Sequence, residues 1–307
     1  MHKNYKMSIN NSPFKLALFG RKIDDKNLNN FKLLINSLLQ SKHTIEWSYY
    51  EPFYKLLSQK VSLPKGSFFH SHSNLSDDTN LFLSLGGDGT FLEALGLIRN
   101  KGILVAGINF GRLGFLTSAS VGETNLWIDN LLSGNFSTIK RGVLQIEGCG
   151  NDFFSCALNE VTIQRQSPAM LEIHVSINGN LLPTYWADGI LLATATGSTA
   201  YSLSLGGPIV TPDAKVLIIA PICPHNLNVR PLIVPETSQI ELSFTGREVT
   251  ALLTADNRSE IITRGNKITV KSGEYSLNCV MLNNNFIAAL NQKLLWGEDK
   301  RNDSIKF

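Results

Sequence analysis

The stretch Leu81-Phe82-Leu83-Ser84-Leu85-Gly86-Gly87-Asp88-Gly89-Thr90-Phe91-Leu92-Glu93-Ala94-Leu95 constrains the fold more than any other part of the chain. An apolar run of buried-strand length stops at a cluster of glycines around one carboxylate, and apolar residues then resume at helical spacing. A strand that passes directly into a helix is the unit from which parallel α/β sheets are built. At such a junction the first N–H groups of the helix have no intrahelical partner, and the helix dipole favours an anion there. Glycines let that anion approach the backbone closely.

The flanking segments carry the same alternation. Leu16 to Phe19 and Ile103 to Ile108 read as strands, and Asn27 to Gln40 and Phe91 to Arg99 as helices. Residues 121 to 135 read as a further helix, with Leu126, Trp127, Leu131 and Leu132 on its apolar side and Gly134 near its end. Together they predict a mostly parallel sheet flanked by helices and connected by right-handed crossovers. Between them, His70 to Asp78 is polar and loop-like, and His70 and His72 read as solvated side chains rather than metal ligands.

From Arg141 the texture changes. Short β-branched and aromatic segments follow one another: Val143 to Glu147, Ala157 to Gln164, Leu171 to Ile177, Gly189 to Thr194, Val216 to Ala220, Gln239 to Phe244, Val249 to Thr254, Lys267 to Lys271 and Leu277 to Leu282. Turn signals such as Asn178-Gly179 separate them. The expected organisation is an α/β domain over residues 1–140, a β-rich, β-sandwich-like domain over 141–285, and a last helix within 286–300 that packs back on the first domain.

Composition narrows the partners. The net charge of +3 on 307 residues is too mild to point to nucleic acid or a membrane surface, but it is compatible with a small polyanionic substrate. The first residues hold no apolar segment of signal-peptide length, and nothing elsewhere reaches the roughly 18 to 20 apolar residues of a membrane helix. Cys149, Cys156, Cys223 and Cys279 form no CxxC pair, so reduced, buried thiols in a cytoplasmic protein are expected.

At Gly86 to Thr90 two familiar phosphate loops are excluded by spacing. No Lys follows the glycines as Walker A requires, and Leu92 stands where GxGxxG needs its third glycine. What remains is an anion cradle, Gly86, Gly87, Gly89 and Thr90, that carries its own carboxylate. A carboxylate beside a phosphate site either binds a metal or accepts a proton from an attacking hydroxyl, and both roles belong to phosphoryl transfer. Asp88 is therefore the catalytic candidate. The alternative is structural: Asp88 and Thr90 cap the helix while the glycines make a tight turn.

A second constellation, Tyr185 to Ser202, places Asp188 ahead of an apolar strand and a run of small and hydroxyl residues. Small residues let a flat base or sugar lie on the backbone. Ser198, Thr199 and Ser202 offer hydrogen bonds and Tyr201 a ring, although Asp188-Gly189 by itself could be a hairpin turn.

With both constellations the chain resembles the NAD kinases, which phosphorylate the 2′-hydroxyl of the adenosine ribose of NAD. The resemblance runs from Phe14 to Asn302. It is carried by Leu85 to Leu92, Gly107 to Leu116, Leu158-Asn159-Glu160, Asp188-Gly189 with Thr196 to Ser202, Gly206-Gly207-Pro208, Pro221 to His225 and Arg230-Pro231-Leu232. GGDGT alone is shared with diacylglycerol, sphingosine and phosphofructo kinases; the ordered set is specific.

The resemblance implies that Asp88 is the proton acceptor, that Gly89 touches the dinucleotide, and that Asn159 and Glu160 hold it. Asp188 and Thr199-Ala200-Tyr201-Ser202-Leu203-Ser204 match the family's adenosine-side and nicotinamide-side contacts. It further implies Mg²⁺ with ATP as donor, binding of NAD in the crevice between the α/β and β-rich domains, and dimers or tetramers whose neighbouring subunits help line the site.

Three positions depart from the family pattern. Trp186 stands where many members have a basic residue that can meet the new 2′-phosphate. Ala195 replaces a common Pro. Asp256-Asn257-Arg258 replaces Asp-x-Gln, so Arg258 either supplies the missing positive charge or is a solvated surface arginine. Cys223-Pro224-His225 reads as a turn with an ordered histidine rather than a metal site. Two other functions fit parts of the sequence: a lipid or sugar kinase sharing GGDGT, and a non-catalytic NADP(H)-binding regulator.

Overall fold

The computed structural model describes residues 3–5, 13–110, 114–117, 119–120, 124–281 and 286–295. Gly111, Arg112 and Leu113 of the resemblance, the side chain of Leu126 and the tail from Trp296 onward lie outside this description. The chain divides into two units: Met1–Ala94, Ile103–Ile139 and Asn278–Phe307 form the first, and Leu95–Gly102 with Lys140–Leu277 the second.

The first unit is an α/β layer structure. Its strands are β1 (Phe14–Gly20), β2 (Ile45–Tyr50), β3 (Gly66–Phe69), β4 (Leu81–Leu85) and β5 (Leu104–Asn109), with helices α1 (Leu28–Leu39), α2 (Glu51–Leu57), α3 (from Asp88 to Ile98) and α4 (Thr124–Leu132) between and after them. The strand order is β3–β2–β1–β4–β5, every pair parallel, and residues Asn278 and Cys279 of a later strand pair in parallel with Leu104 and Val105 of β5. β4 is buried along its whole length, as a strand covered on both faces must be, which is why Leu81 to Leu85 shows no polar alternation. α1 turns Phe31, Leu34, Ile35 and Leu38 into the core at helical spacing, and α4 does the same with Trp127, Ile128, Leu131 and Leu132.

This order has a consequence for ligands. The chain adds β2 and β3 on one side of β1 and then returns to add β4 and β5 on the other, so the order reverses between β1 and β4. In open α/β sheets the crevice beyond the carboxyl ends of the strands at such a reversal is where ligands bind. Gly20, the last residue of β1, is in register with Leu85, the last of β4. The segment Gly86-Gly87-Asp88 therefore begins at the reversal point.

The second unit is built of antiparallel strands. These are β6 (Phe136–Glu147, whose later residues belong here), β7 (Glu160–Arg165), β8 (Leu171–Ile177), β9 (Tyr185–Ala187), β10 (Gly189–Thr194), β11 (Val216–Ile222), β12 (Leu232–Pro235), β13 (Ile240–Thr245), β14 (Thr250–Ala255), β15 (Arg258–Thr263) and β16 (Ile268–Met281). One sheet has the order β12–β11–β10–β7–β14–β15. In the other, β8 pairs with β9 and β13, and β13 pairs with the start of β16. Val161, Ile163, Ile190 and Leu192 of the first sheet share one apolar cluster with Ile173, Val175, Leu242 and Phe244 of the second, the interior of a sandwich.

The fold class read from the sequence agrees with this architecture, with differences in detail. Asn178 and Gly179 take φ of 50° and 82° in the turn after β8, as an Asn-Gly hairpin requires. The two strands expected at Lys267 to Lys271 and at Leu277 to Leu282 are one strand, β16, over Ile268–Met281, with Leu282 outside the described residues. Within it Gly273 lies where Val143 passes so close that a Cβ would come 2.6 Å from its Cγ2. The last helix, α5, spans Phe286–Leu294 and buries Ala289 and Leu290. Among the described residues no helix is long and apolar enough to cross a membrane.

Candidate active site

In the first unit the site grows from the end of β4. Gly86 has φ +153°, and a Cβ there would come within 2.5 Å of Thr90 Oγ1, so both conformation and space demand glycine. Its N–H donates to the Ile108 carbonyl at 2.9 Å, which pins the loop to β5. Gly87 and Gly89 differ: a Cβ at either would meet no atom within 4 Å. No neighbour among the described residues requires glycine there.

Asp88 does not cap its helix. Its Oδ2 accepts the Phe115 N–H at 2.8 Å and its Oδ1 accepts the Leu116 N–H at 3.2 Å. The loop holding it is itself braced, since the Gly114 N–H donates to Thr117 Oγ1 at 2.8 Å. Gly114 lies so close that any Cβ on it would overlap Asp88 Oδ1. The Lys293 ammonium of α5 lies 3.7 Å from Asp88 Oδ2. Each carboxylate oxygen keeps a second lone pair, and 34% of the side chain remains exposed, so Asp88 can accept a further hydrogen bond from outside. Arg21, the residue after β1, pairs with Glu93 of α3.

The second unit gathers residues far apart in sequence. Asp256, its side chain 0% exposed, accepts the backbone N–H groups of Leu158 at 2.8 Å, Asn159 at 2.8 Å and Glu160 at 3.3 Å. Thr194 Oγ1 donates to the Leu158 carbonyl at 2.6 Å and accepts the Gly197 N–H at 3.1 Å. A Cβ on Gly197 would overlap the Asn159 carbonyl. The Asn159-Glu160 turn, the end of β10 and Asp256 thus form one hydrogen-bonded knot.

Glu160 is the strained member of that knot. Burial, reinforced by the neighbouring Asp256 charge, pushes its carboxyl up to about 8, against a smaller opposing effect of the Tyr201 N–H. Its Oε2 is buried without a hydrogen-bond partner among the described residues. An orphaned buried carboxylate oxygen is costly, and a ligand hydroxyl would satisfy it.

The remaining candidates fall into two groups. Asp188 pairs with Arg165 at 3.0 Å, and its N–H donates to the Ile222 carbonyl at 2.9 Å. Gly189 is no hairpin turn but the first residue of β10, paired with Gln164 and Ile222, and a Cβ on it would overlap the Ile163 carbonyl. Tyr201 begins a one-turn helix, Tyr201–Ser204, and its phenol feels both Asp188 and Glu160. Thr199, Ala200 and Leu203 are half-buried and Ser204 is exposed beside it.

Ser198 and Ser202 are turned inward instead. Ser198 Oγ accepts the Val210 N–H at 3.0 Å and donates to its carbonyl at 3.2 Å, while Ser202 is fully buried against Gly207.

Trp186 presents a ring that is 41% exposed, while its main chain is tied at both ends: its N–H donates to Asn226 Oδ1 at 3.1 Å and its carbonyl accepts the His225 N–H at 2.7 Å. Cys223 takes φ 46° in the turn that delivers His225. Arg258 is not a solvated surface arginine. Its guanidinium donates to the Cys156 carbonyl, lies over the Phe154 ring at 4.9 Å from the centroid, and stands 4.0 Å from Asp256 Oδ2.

The comparisons with known proteins agree on one family. Residues 68–136 match the model of the ATP-NAD kinase N-terminal domain, and residues 158–282 match that of the ATP-NAD kinase C-terminal domain. The NAD kinase of Flavobacterium psychrophilum is 41% identical over 241 residues, covering 76% of this chain and 82% of the relative. That of Cytophaga hutchinsonii is 40% identical over 293 residues, 93% of this chain and 99% of the relative. The chain belongs to the NAD kinase family.

Among solved structures, a yeast NADH kinase complexed with NADH superposes with a TM-score of 0.82 at 26% identity, covering 96% of this chain and 90% of that one. An NAD kinase from Archaeoglobus fulgidus in complex with ATP shares the fold, with a TM-score of 0.68 at 22% identity over 92% of this chain and 97% of that one. Membership in the NAD kinase family makes the chain a kinase and favours that reading over a lipid kinase, a sugar kinase or a non-catalytic binder.

Three residues of this NAD kinase family member escaped sequence reasoning: Asp256 as the anchor of Asn159-Glu160, Arg165 as the partner of Asp188, and Lys293 beside Asp88. Only Asp256 left a trace, as the acid of the Asp-x-Gln-like triplet.

Proposed function

We propose that the chain transfers the γ-phosphoryl group of ATP to the 2′-hydroxyl of the adenosine ribose of NAD, forming NADP. The observation that carries this reading is the Asp88 carboxylate, held by two backbone N–H groups at the first turn of α3 and at the point where the strand order reverses. A carboxylate with free lone pairs beside an anion cradle orients the ribose hydroxyl and takes its proton as the oxygen attacks phosphorus. Gly86, Gly87, Gly89 and Thr90 receive the donor phosphates. Asn159 and Glu160 hold the dinucleotide, the orphaned Glu160 oxygen accepting one of its hydroxyls. Asp188 and the stretch Thr199 to Ser204 contact the nucleosides, and Trp186 and Arg258 line the acceptor side.

A divalent cation fits this reading as the companion of ATP. Mg²⁺ keeps several waters and takes substrate phosphate oxygens with few protein ligands. The described residues, correspondingly, hold no group of three or more His, Cys, Asp or Glu that could cage a metal alone. When bound, the cation neutralises charge on the β- and γ-phosphate oxygens. The family resemblance supports a cytoplasmic homodimer or homotetramer, which light scattering on the purified protein tests.

The deciding experiment is NADP formation by purified protein with NAD, ATP and Mg²⁺, read with an NADP-specific dehydrogenase. NADH as acceptor and inorganic polyphosphate as donor run in parallel. Steady turnover of NAD with ATP is expected, and none with any donor and acceptor pair would overturn the reading.

A further inference from the structure

We infer that Lys293 is a positioning residue of the phosphoryl-transfer site, fixing Asp88 in its loop and supplying the positive charge beside it. The inference rests on the kinase reading above and adds a residue to it. Phe286, Ala289, Leu290 and Lys293 fall on one face of α5 by their three- and four-residue spacing. Ala289 and Leu290 are buried, which anchors the helix. From that face Phe286 meets the Phe115 ring with centroids 6.4 Å apart, and the Lys293 ammonium sits over the same ring at 4.1 Å. Phe115 is also the residue whose N–H holds Asp88 Oδ2. The loop Gly114–Thr117 therefore stands between α3 and α5, with Lys293 gripping its aromatic ring and its carboxylate guest together.

The distance decides the kind of help given. At 3.7 Å the ammonium is outside the usual hydrogen-bond range, so it attracts Asp88 by charge without taking up the lone pairs that must receive the ribose proton. With 20% of its side chain exposed, Lys293 is poorly screened, and the charge acts more strongly than on an open surface. The charged group facing it is Asp88; burial lowers the proton affinity of Lys293 and Asp88 partly restores it. Positive charge at this spot also favours the phosphates gathered at α3.

The test compares Lys293→Met with Lys293→Arg in the NADP-forming assay. Methionine keeps an unbranched stem to pack on Phe115 but has no charge; arginine keeps the charge. Lys293→Met is expected to lower kcat by about 10- to 100-fold with KM for NAD within about twofold, whereas Lys293→Arg stays within about fivefold of wild type. Wild-type kcat should also fall on the alkaline side below the ordinary lysine range, and this limb should move to higher pH in Lys293→Arg. Thermal melting confirms that each variant is folded.

A folded Lys293→Met protein with wild-type kcat, or a Lys293→Arg protein no better than Lys293→Met, overturns the inference. Asp88→Asn separates the two levels. If it collapses turnover while both Lys293 variants remain at wild type, only the role of Lys293 fails. If the wild-type protein makes no NADP, the kinase reading itself fails.

Discussion

Asp88 and Glu160 are two acids of the same proposed reaction, and the chain presents them in opposite ways. Asp88 stands at a helix start, partly open, with two backbone N–H groups and an ammonium group turned toward it. Glu160 is half-buried, faces the like charge of Asp256 and keeps one buried oxygen without a donor among the described residues. The first is furnished with donors before any ligand arrives. The second is uncomfortable as an anion until a ligand supplies what the protein withholds. The acid assigned to take a proton and the acid assigned to recognise hydroxyls thus differ in their surroundings, although their side chains differ by one methylene.

The contrast breaks if the acid assigned to chemistry is dispensable. Asp88→Asn should reduce kcat by about 10²- to 10⁴-fold, the usual contribution of a general base, while NAD affinity by calorimetry changes only a few-fold. Close behind comes Gly114→Ala, whose methyl group would occupy the place of Asp88 Oδ1. Displacing the carboxylate by an ångström should cost about 10²-fold in kcat, with a melting temperature near wild type if the exposed side of the loop yields. Wild-type kinetics in that variant would show that Asp88 is held some other way.

The other half of the comparison is tested through stability. Asp256→Ala leaves three backbone N–H groups without their acceptor and should destabilise the protein by about 2–4 kcal/mol in urea unfolding. Asp256→Asn, which keeps an acceptor oxygen and removes the charge, should lose less.

A further effect concerns Glu160 and pH. Its folded-state value near 8 lies above the unfolded value near 4.5, so the unfolded chain releases the proton first as pH rises. Stability of the ligand-free protein should therefore fall between about pH 4.5 and pH 8 and level off above. Glu160→Gln should remove this slope, as followed by melting temperature against pH. Parallel slopes in the two proteins would mean that Glu160 is already satisfied within the chain.

Much of this arrangement is readable in the sequence because it is local. The passage from β4 through Gly86-Gly87-Asp88 into α3 is written in consecutive residues, and so is the run from Asp188 through β10 to Tyr201. The rest is not, because it depends on pairs that periodicity does not record. β2 and β3 are short, aromatic and close to α2, and no apolar alternation long enough to stand out marks them. Asp256 reaches Asn159 only through the pairing of β7 with β14, in which Val161 lies opposite Ala255. Arg165 meets Asp188 because β7 and β10 run antiparallel to Gln164 opposite Gly189. Lys293 is a basic residue near the end of an amphipathic helix, and nothing in that helix says which loop it will cover.

Gly87 and Gly89 carry one last implication, for anyone who would transplant this site to another scaffold. Matching every contact of the donor protein would leave both positions unspecified, since a methyl group there touches nothing. A serine or alanine would satisfy such a blueprint and still, on the proposed reading, stand where the donor phosphates lie. On that reading the shape of the guest, not the packing of the host, writes those two letters.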